Sequence, residues 1–244
     1  MRLFILILAL IALPASADEL AELKELADQG NASAQSNLGV RYANGEGVPQ
    51  DDKAAARWYR LAADQGDASA QFNLGLMYDN GRGVPQDDKA AIRWYRLAAD
   101  QGDAGAQYNL GVMYATGEGV PQDDKAAARW YRLAADQGNA QAQYNLGVRY
   151  DNGEGVPQDY KAAARWYRLA ADQGHAKAQT NLGVMYDNGE GVPQDYKKAH
   201  MWYNISAANG NESARKNRDL LAKEMPPEAV SQAQELASKW MESH

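Results

Sequence analysis

The chain has 244 residues, of which 45% are hydrophobic and 23% are charged, a balance that is typical of a folded protein and excludes intrinsic disorder. Its formal net charge of −7 excludes the basic footprint of a nucleic-acid-binding protein and disfavours an anionic membrane surface as a partner. The chain contains no Cys, which excludes disulfides, thiolate nucleophiles and Cys-ligated metal sites.

The first 17 residues have the pattern of a secretory signal peptide. Arg2 is followed by an apolar run over residues 3–13, and the segment closes on the small residues Ala15 and Ala17. This order predicts export with cleavage after Ala17. A membrane-spanning helix needs about 20 apolar residues, so we expect no stable membrane anchor. The sequence therefore predicts a mature chain that begins at Asp18 and is periplasmic or secreted.

Residues 18–30 resemble the end of a repeated unit that follows them in the chain. The segment from Leu23 to Gly30 aligns with the segment from Tyr59 to Gly66, which includes the same Ala-Asp-Gln-Gly ending. Terminal units of a repeat array differ from the internal ones because one of their faces meets solvent. We therefore interpret residues 18–30 as an N-terminal capping half-repeat.

A period of 36 residues organises the chain from residue 31 to residue 210. The tripeptide Asn-Leu-Gly recurs five times at this spacing, beginning at Asn37, Asn73, Asn109, Asn145 and Asn181. The dipeptide Trp-Tyr recurs at the same spacing from Trp58 to Trp202. Since a fixed period of roughly 20–50 residues is the signature of repeat architectures, the sequence predicts five repeats in residues 31–210.

The first helix of each repeat is predicted from the helical spacing of its apolar and small residues. Gln35, Leu38, Gly39 and Tyr42 share one face, and Asn31 is placed to cap the helix. Glycine inside a helix costs about 1 kcal/mol relative to Ala, yet the position of Gly39 is glycine in all five repeats. We therefore predict that another helix approaches closely there. The recurrence of Gln35 in all five repeats favours an internal hydrogen bond over ligand recognition.

The second helix of each repeat is predicted to begin after Asp51 and to end before Gly66. Its apolar face carries Trp58 together with several Ala residues, and Asp51 is a suitable N-cap. The other face carries charged residues, of which Arg60 and Asp64 have the i, i+4 spacing of a helical ion pair. This face is therefore interpreted as a solvated surface.

Residues 211–244 depart from the repeat pattern and are predicted to form C-terminal capping helices. A charged helix is expected near residues 212–223, and Pro226-Pro227 opens a last helix that ends near Trp240. No linker separates these segments, so the mature chain is interpreted as one elongated domain.

The repeated residues resemble a known family. The pattern Ala-x-Ala-Gln-x-Asn-Leu-Gly-x-x-Tyr-x-x-Gly-x-Gly-Val, followed by Asp-x-x-x-Ala-x-x-Trp-Tyr-x-x-Ala-Ala-x-x-Gly, resembles the Sel-one-like repeat, a relative of the tetratricopeptide repeat. The resemblance covers residues 31–210. It implies an all-α, right-handed α/α superhelix whose first helices line a concave groove, and a role as an adaptor or scaffold for protein complexes. It implies no conserved reaction.

Residues that could carry chemistry are few. A catalytic triad needs a His that contacts both an acid and a nucleophile. The three His are His175, His200 and His244, and His200 stands where another repeat has Ala164, which indicates an altered packing face. We therefore predict a non-enzymatic protein with no catalytic residue, no cofactor and no metal site.

Positions that vary between repeats are the best candidates for partner recognition. Three variable columns of the first helices are spaced by three and seven residues and therefore share one face. In the resembling family this face lines the concave groove. The candidate partner-binding residues are Phe72, Tyr108, Tyr144, Asp79, Asp151, Asp187, Gln141 and Lys177.

The aromatic residues of this set have two interpretations. They form an apolar strip for an extended partner that carries apolar side chains and some Lys or Arg, or they pack between neighbouring repeats as core. Ser36 and Thr180, which occupy the same column, argue against a core column because they are small and hydroxylated.

Three functions compete on the sequence alone. The first is an exported scaffold that binds a protein or an extended peptide in its groove. The second is a peptidoglycan-binding protein in which the three aromatic rings stack on sugars. The third is a β-lactam-binding or β-lactam-hydrolysing protein, as some cysteine-rich relatives of the family are described, and the absence of Cys argues against it.

Overall fold

The computed structural model describes residues 17–243, which form thirteen helices and no strand. The chain divides after Ala98 into two compact units. The helices are α1 (Ala17–Asp28), α2 (Ala32–Asn44), α3 (Asp52–Asp64), α4 (Ala68–Asn80), α5 (Asp88–Asp100), α6 (Ala104–Thr116), α7 (Asp124–Asp136), α8 (Ala140–Asn152), α9 (Tyr160–Asp172), α10 (Ala176–Asn188), α11 (Tyr196–Ala208), α12 (Glu212–Glu224) and α13 (Pro227–Ser243).

The first unit contains α1 to α4 and most of α5. Helix α2 packs against α1 and α3, and α3 packs against α4. The amide of Gln35 donates to the carbonyl of Ala27 in α1 (3.0 Å), as the amide of Gln71 donates to the carbonyl of Ala63 in α3 (3.1 Å). Helix α1 is therefore placed against α2 as a second helix is placed against the following first helix.

The second unit contains the end of α5 and the helices α6 to α13. Consecutive helices pack in the pairs α6–α7, α8–α9 and α10–α11, and the second helix of one pair packs against the first helix of the next. Helix α11 packs against both α12 and α13. The predicted all-α solenoid of helix pairs is confirmed.

Capping residues fix where the first helices begin and end. The carboxylate of Asp103 accepts a hydrogen bond from the backbone N–H of Ala106 (2.7 Å), and Asn31 caps α2 in the same way. At the other end of α2, Gly45 has φ = 75°, a left-handed conformation that glycine adopts without steric cost. The N-caps predicted at Asn31 and Asp51 are confirmed.

A buried glutamine recurs in every first helix and hydrogen-bonds to a neighbouring second helix. In α8 the amide of Gln143 donates to the carbonyl of Ala135 (3.2 Å), and its oxygen accepts from Gln173 (2.8 Å). The predicted internal hydrogen bonding of this column is confirmed. The five equivalent glutamines, all buried, are Gln35, Gln71, Gln107, Gln143 and Gln179.

The glycine inside each first helix faces a tyrosine ring of the second helix. A Cβ atom at Gly147 would lie 2.6 Å from Cδ1 of Tyr167, closer than such atoms approach one another. The close approach predicted for this column is confirmed, and its partner is the tyrosine of the Trp-Tyr dipeptide. The helix therefore gains ring packing in place of the lost helix propensity.

The predicted ion pair of Arg60 with Asp64 is wrong. The guanidinium of Arg60 lies over the ring of Trp94 (5.2 Å to the centroid) and over that of Tyr78 (5.6 Å), and it donates a hydrogen bond to the hydroxyl of Tyr78. A cation–π contact at an exposed site is worth about 0.5–1 kcal/mol, whereas an ion pair at i, i+4 on a helix surface is worth about 0.3–0.5 kcal/mol. The second unit repeats this arrangement around Arg132.

The predicted signal peptide and His244 lie outside the residues that the structure describes, apart from the backbone of Ala17. Helices α12 and α13 occur where two C-terminal helices are predicted, and α13 begins at Pro227. Between residues 17 and 243, no helix combines the length and the apolar character that a membrane span requires.

Candidate binding surface on the first helices

The eight residues predicted to bind a partner all lie on first helices, and we call this predicted set the groove face, each unit being described by itself. Two belong to the first unit and six to the second unit. The members on α4 are Phe72 and Asp79, the member on α6 is Tyr108, the members on α8 are Gln141, Tyr144 and Asp151, and the members on α10 are Lys177 and Asp187.

In the first unit one tyrosine of a second helix contacts both groove-face residues. The ring of Phe72 is half-buried and lies 6.0 Å from the ring of Tyr95, measured between centroids. The hydroxyl of Tyr95 donates to Oδ2 of Asp79 (3.0 Å). Phe72 and Asp79 therefore both contact Tyr95 within one repeat.

In the second unit the aromatic members of the groove face are also half-buried. The ring of Tyr108 lies 6.0 Å from that of Tyr131, and the ring of Tyr144 lies 5.9 Å from that of Tyr167. Each ring thus packs on its own second helix with part of its surface exposed. Each ring is therefore neither fully exposed nor fully buried.

His175 brings two groove-face residues together at the start of α10. Its ring stacks on Tyr144 with centroids 4.6 Å apart, and its Nε2 lies 3.0 Å from the amide oxygen of Gln141. Its Nδ1 accepts a hydrogen bond from the backbone N–H of Ala178 (3.1 Å), so the neutral ring carries its proton on Nε2 and donates it to Gln141. Lys177 is exposed nearby in sequence.

Sequence reasoning did not include His175 in the groove face. Burial lowers the pKa of His175 below 6.5, and Lys177 lowers it further. The sequence did distinguish His175, because the equivalent caps of other repeats are Asp67, Asp103 and Asn139. An imidazole in a column of Asp and Asn adds a ring that can stack, which those side chains cannot do.

The acidic residues of the groove face accept hydrogen bonds from second-helix tyrosines. Asp151 accepts from the hydroxyl of Tyr167 (3.0 Å), and Asp187 accepts from that of Tyr203 (3.2 Å). Burial raises the pKa of both carboxyl groups above its ordinary value of 3.8, and the tyrosine hydrogen bonds oppose that rise. Because Tyr167 also contacts Tyr144, the structure joins Asp151 and Tyr144 through one ring.

The fold does not require these carboxylates. Two repeats carry Ala43 and Ala115 at the equivalent position, and their second helices keep the same tyrosine at Tyr59 and Tyr131. Burial raises the pKa of each of these two tyrosines to about 12. Since partial burial disfavours an ionised carboxyl group, Asp151 and Asp187 carry an energetic cost that the Ala repeats avoid.

The histidine that the sequence places on an altered packing face, His200, lies inside the helix array. His200 is 1% exposed on α11, which packs against α12 and α13. Burial lowers the pKa of His200. Within residues 17–243, no group of three or more His, Asp or Glu side chains is placed to hold a metal ion.

Comparison with known proteins places this chain in a family. Five consecutive segments match the Sel1 repeat: residues 32–67, 68–103, 104–139, 140–175 and 176–211. The chain belongs to the Sel1 repeat family. Sel1 repeat proteins generally mediate protein–protein interactions, and the family is generally non-enzymatic. A search of curated proteins finds no match to the chain.

Solved structures of Sel1 repeat proteins are similar to this chain over most of its length. A protective antigen of uropathogenic Escherichia coli with the SLR fold is 38% identical over 92% of this chain and 49% of its own chain, with a TM-score of 0.83. This chain therefore spans about half the length of that antigen. A Sel1 repeat protein from Oxalobacter formigenes is 35% identical over 91% of this chain and 97% of its own, with a TM-score of 0.75.

Proposed function

We propose that this Sel1 repeat protein is an exported, non-enzymatic scaffold that binds an extended segment of a protein partner along the groove face. The observation that carries the proposal is the set of half-buried carboxylates at Asp79, Asp151 and Asp187. Repeats with Ala at this position form the same helices, so the carboxylates are not needed for folding. A cationic partner group offsets their desolvation cost when it binds.

The chemistry of the groove face defines the partner segment. Half-exposed rings at Phe72, Tyr108 and Tyr144 offer apolar area at a low cost in side-chain entropy, which is why aromatic residues dominate binding hot spots. The neighbouring carboxylates favour Lys or Arg. The partner segment is therefore extended, with apolar side chains and interspersed basic residues.

Selection of binders from a random peptide library tests this proposal. The selected peptides should combine apolar residues with Lys or Arg, and a fluorescent copy of the tightest one should bind the wild-type chain. The triple variant Phe72→Ala, Tyr108→Ala, Tyr144→Ala should lose binding while its melting temperature falls far less than core truncation causes. Each buried core aromatic replaced by Ala costs about 3–5 kcal/mol, and a fall of that size for each ring would make the rings structural and contradict the proposal.

A second triple variant isolates the charges. Asp79→Ala, Asp151→Ala, Asp187→Ala gives three repeats the residue that Ala43 and Ala115 already supply. We expect weaker binding of the basic peptide with little change in melting temperature. Binding that is unaffected by these substitutions would remove the carboxylates from the recognition surface.

Two further assays test the alternative functions. Sedimentation of the chain with purified peptidoglycan, without binding of any selected peptide, would favour the glycan-binding alternative. Hydrolysis of nitrocefin by the pure chain would favour the β-lactam alternative.

Export is tested by N-terminal sequencing of protein recovered from the periplasmic and culture fractions. We expect Asp18 as the first residue. A chain that retains Met1 and stays in the cytoplasm would contradict the proposed export and leave the groove-face proposal to its own tests.

A further inference from the structure

Equivalent cavities open on the second helices of three repeats. The cavity on α3 in the first unit has a volume of about 650 Å³, and those on α7 and α9 in the second unit have volumes of about 440 and 680 Å³. A Lys, two Arg and a Leu of the second helix line each cavity, and a Val of the following loop closes it. The same five positions therefore line an equivalent cavity in three repeats.

The fold gives no account of two of these positions. Leu133 and Leu169 are each 47% exposed, although a leucine that only filled a repeat interface would be buried. Arg129 and Arg165 are exposed on the same helices, one turn before the leucines. Among the described residues that line the three cavities, none is acidic. Although the chain has a net charge of −7, each cavity is therefore an apolar surface bordered by Lys and Arg side chains.

The last repeat shows what covers the equivalent surface. Helix α11 carries Ile205 at the position of Leu169, and Ile205 is 0% exposed. After α11, the chain packs both α12 and α13 against it. After α9, the chain packs α10 against it, and Leu169 stays exposed. The rings of Trp202 and Trp240 lie 5.5 Å apart, edge to face, within this contact. In the last repeat, the surface equivalent to the open cavities is therefore covered by α13.

The occupant helix is amphipathic and carries more acid than base. Helix α13 buries Ala233 and Ala237 against the preceding helices. Residues 227–243 also contain three Glu and one Lys. The side of α11 that it meets is less basic than the open cavities, because Met201 replaces the exposed arginine of the other repeats. A helix that fits the open cavities is therefore more acidic than α13.

We propose that the cavities on α7 and α9, lined by Lys125, Arg129, Leu133, Lys161, Arg165 and Leu169, bind an acidic amphipathic helix of a protein partner. We call these six residues the open face. The helix places small or branched apolar side chains on Leu133 and Leu169 and directs Glu or Asp at the arginines. This site lies on second helices, carries the opposite charge to the groove face and does not depend on the function proposed for that face.

The probe is a fluorescent peptide of residues 227–243 with Lys239→Glu, which retains the apolar face of α13 and adds acid. Binding to the purified full chain is followed by fluorescence anisotropy at low and high salt. We expect saturable binding that weakens with salt, because screening reduces contacts between exposed charges. Replacing Arg129 and Arg165 by Ala should weaken binding about tenfold, as should replacing Leu133 and Leu169 by Ser.

The matched control removes two exposed cations from elsewhere in the same unit, with Lys216→Ala and Lys223→Ala on α12. We expect the control to bind the peptide as the wild type does. Equal losses in the control and in the arginine variant would mean diffuse charge attraction and would overturn the proposal. Unchanged binding by the leucine variant, or binding of phosphatidylglycerol vesicles without binding of the peptide, would overturn it as well.

Discussion

The imidazole of His175 stacks on the ring of Tyr144 with centroids 4.6 Å apart, and the contact joins the start of α10 to α8. The same imidazole caps α10 through Nδ1 and contacts Gln141 through Nε2. One side chain therefore fixes a helix start and the positions of two groove-face residues. All three contacts suit the neutral ring, because protonation of Nδ1 replaces the acceptor that the cap requires.

Acid should weaken this junction. Burial places the pKa of His175 below 6.5 in the folded chain, so the unfolded chain takes up its proton first as the pH falls. The stabilising contribution of His175 is complete above 6.5 and is lost as the pH falls from there through the lowered pKa. We expect the melting temperature of the wild type to fall over this window, as measured by circular dichroism.

The control for this prediction is His175→Asn, which installs the cap that Asn139 provides in the preceding repeat. His200, whose pKa burial also lowers, is present in both proteins, so the difference between them reports on His175 alone. We expect His175→Asn to depend less on pH than the wild type below 6.5. Identical pH dependence of the two proteins would mean that His175 has the same pKa in the folded and unfolded chains, which contradicts the prediction.

The carboxylate of Asp151 should be dispensable for stability. Its pKa is raised by burial, so the ionised group is favoured less in the folded chain than in the unfolded chain, and stability falls as the pH rises above 3.8 through the raised pKa. Asp151→Asn keeps an acceptor for the hydroxyl of Tyr167 and removes this cost. We expect an equal or higher melting temperature at neutral pH, together with weaker binding of a basic peptide.

Asp136→Asn is the matched control for charge, since Asp136 is an exposed carboxylate at the end of α7. It should change neither melting temperature nor peptide binding. A loss of several degrees with Asp151→Asn and none with Asp136→Asn would make Asp151 a structural residue.

The helix pairs and their caps could be predicted because the five repeats can be aligned with one another. A residue that recurs five times at a spacing of 36, such as the glutamine of Gln143 or the glycine of Gly147, occupies the same environment each time. Local rules for caps and helix faces then give the role of that environment. They could not give the tyrosine that faces Gly147, because that contact depends on how two helices meet.

The contacts of Arg60 and His175 could not be predicted by the same means. Spacing along one helix gives its i, i+4 neighbours, and it led to the wrong partner for Arg60. The actual partners, Tyr78 and Trp94, come from the following repeat, which helix spacing does not describe. The exposure of Leu133 and Leu169 could not be predicted either, because an apolar residue on a helix is expected to be buried by a neighbouring helix.

Gly147→Ala should destabilise the chain although alanine favours helices. The new Cβ would meet Cδ1 and Cε1 of Tyr167 at 2.6 and 2.7 Å, so the ring must shift within a packed interface. Overpacking of this kind costs about 1–3 kcal/mol, which exceeds the gain of about 1 kcal/mol in helix propensity. In a Tyr167→Ala background the ring is absent, and the same substitution should stabilise the chain. Urea unfolding of the four proteins measures both effects, and a destabilisation that persists without the ring would contradict the proposed contact.

Arg132→Lys should destabilise the chain, whereas Arg129→Lys on the same helix should not. The guanidinium of Arg132 lies between the rings of Tyr150 (5.4 Å) and Trp166 (5.3 Å) and donates to the hydroxyl of Tyr150. A lysine ammonium keeps the charge but lacks the planar guanidinium that stacks on both rings while donating to the hydroxyl of Tyr150. We expect a loss of about 0.5–2 kcal/mol in the free energy of unfolding for Arg132→Lys, the range of cation–π contacts. Arg129 is exposed, so Arg129→Lys should leave that free energy within error of the wild type. Equal effects of the two substitutions would mean that the aromatic contacts of Arg132 contribute nothing beyond its charge.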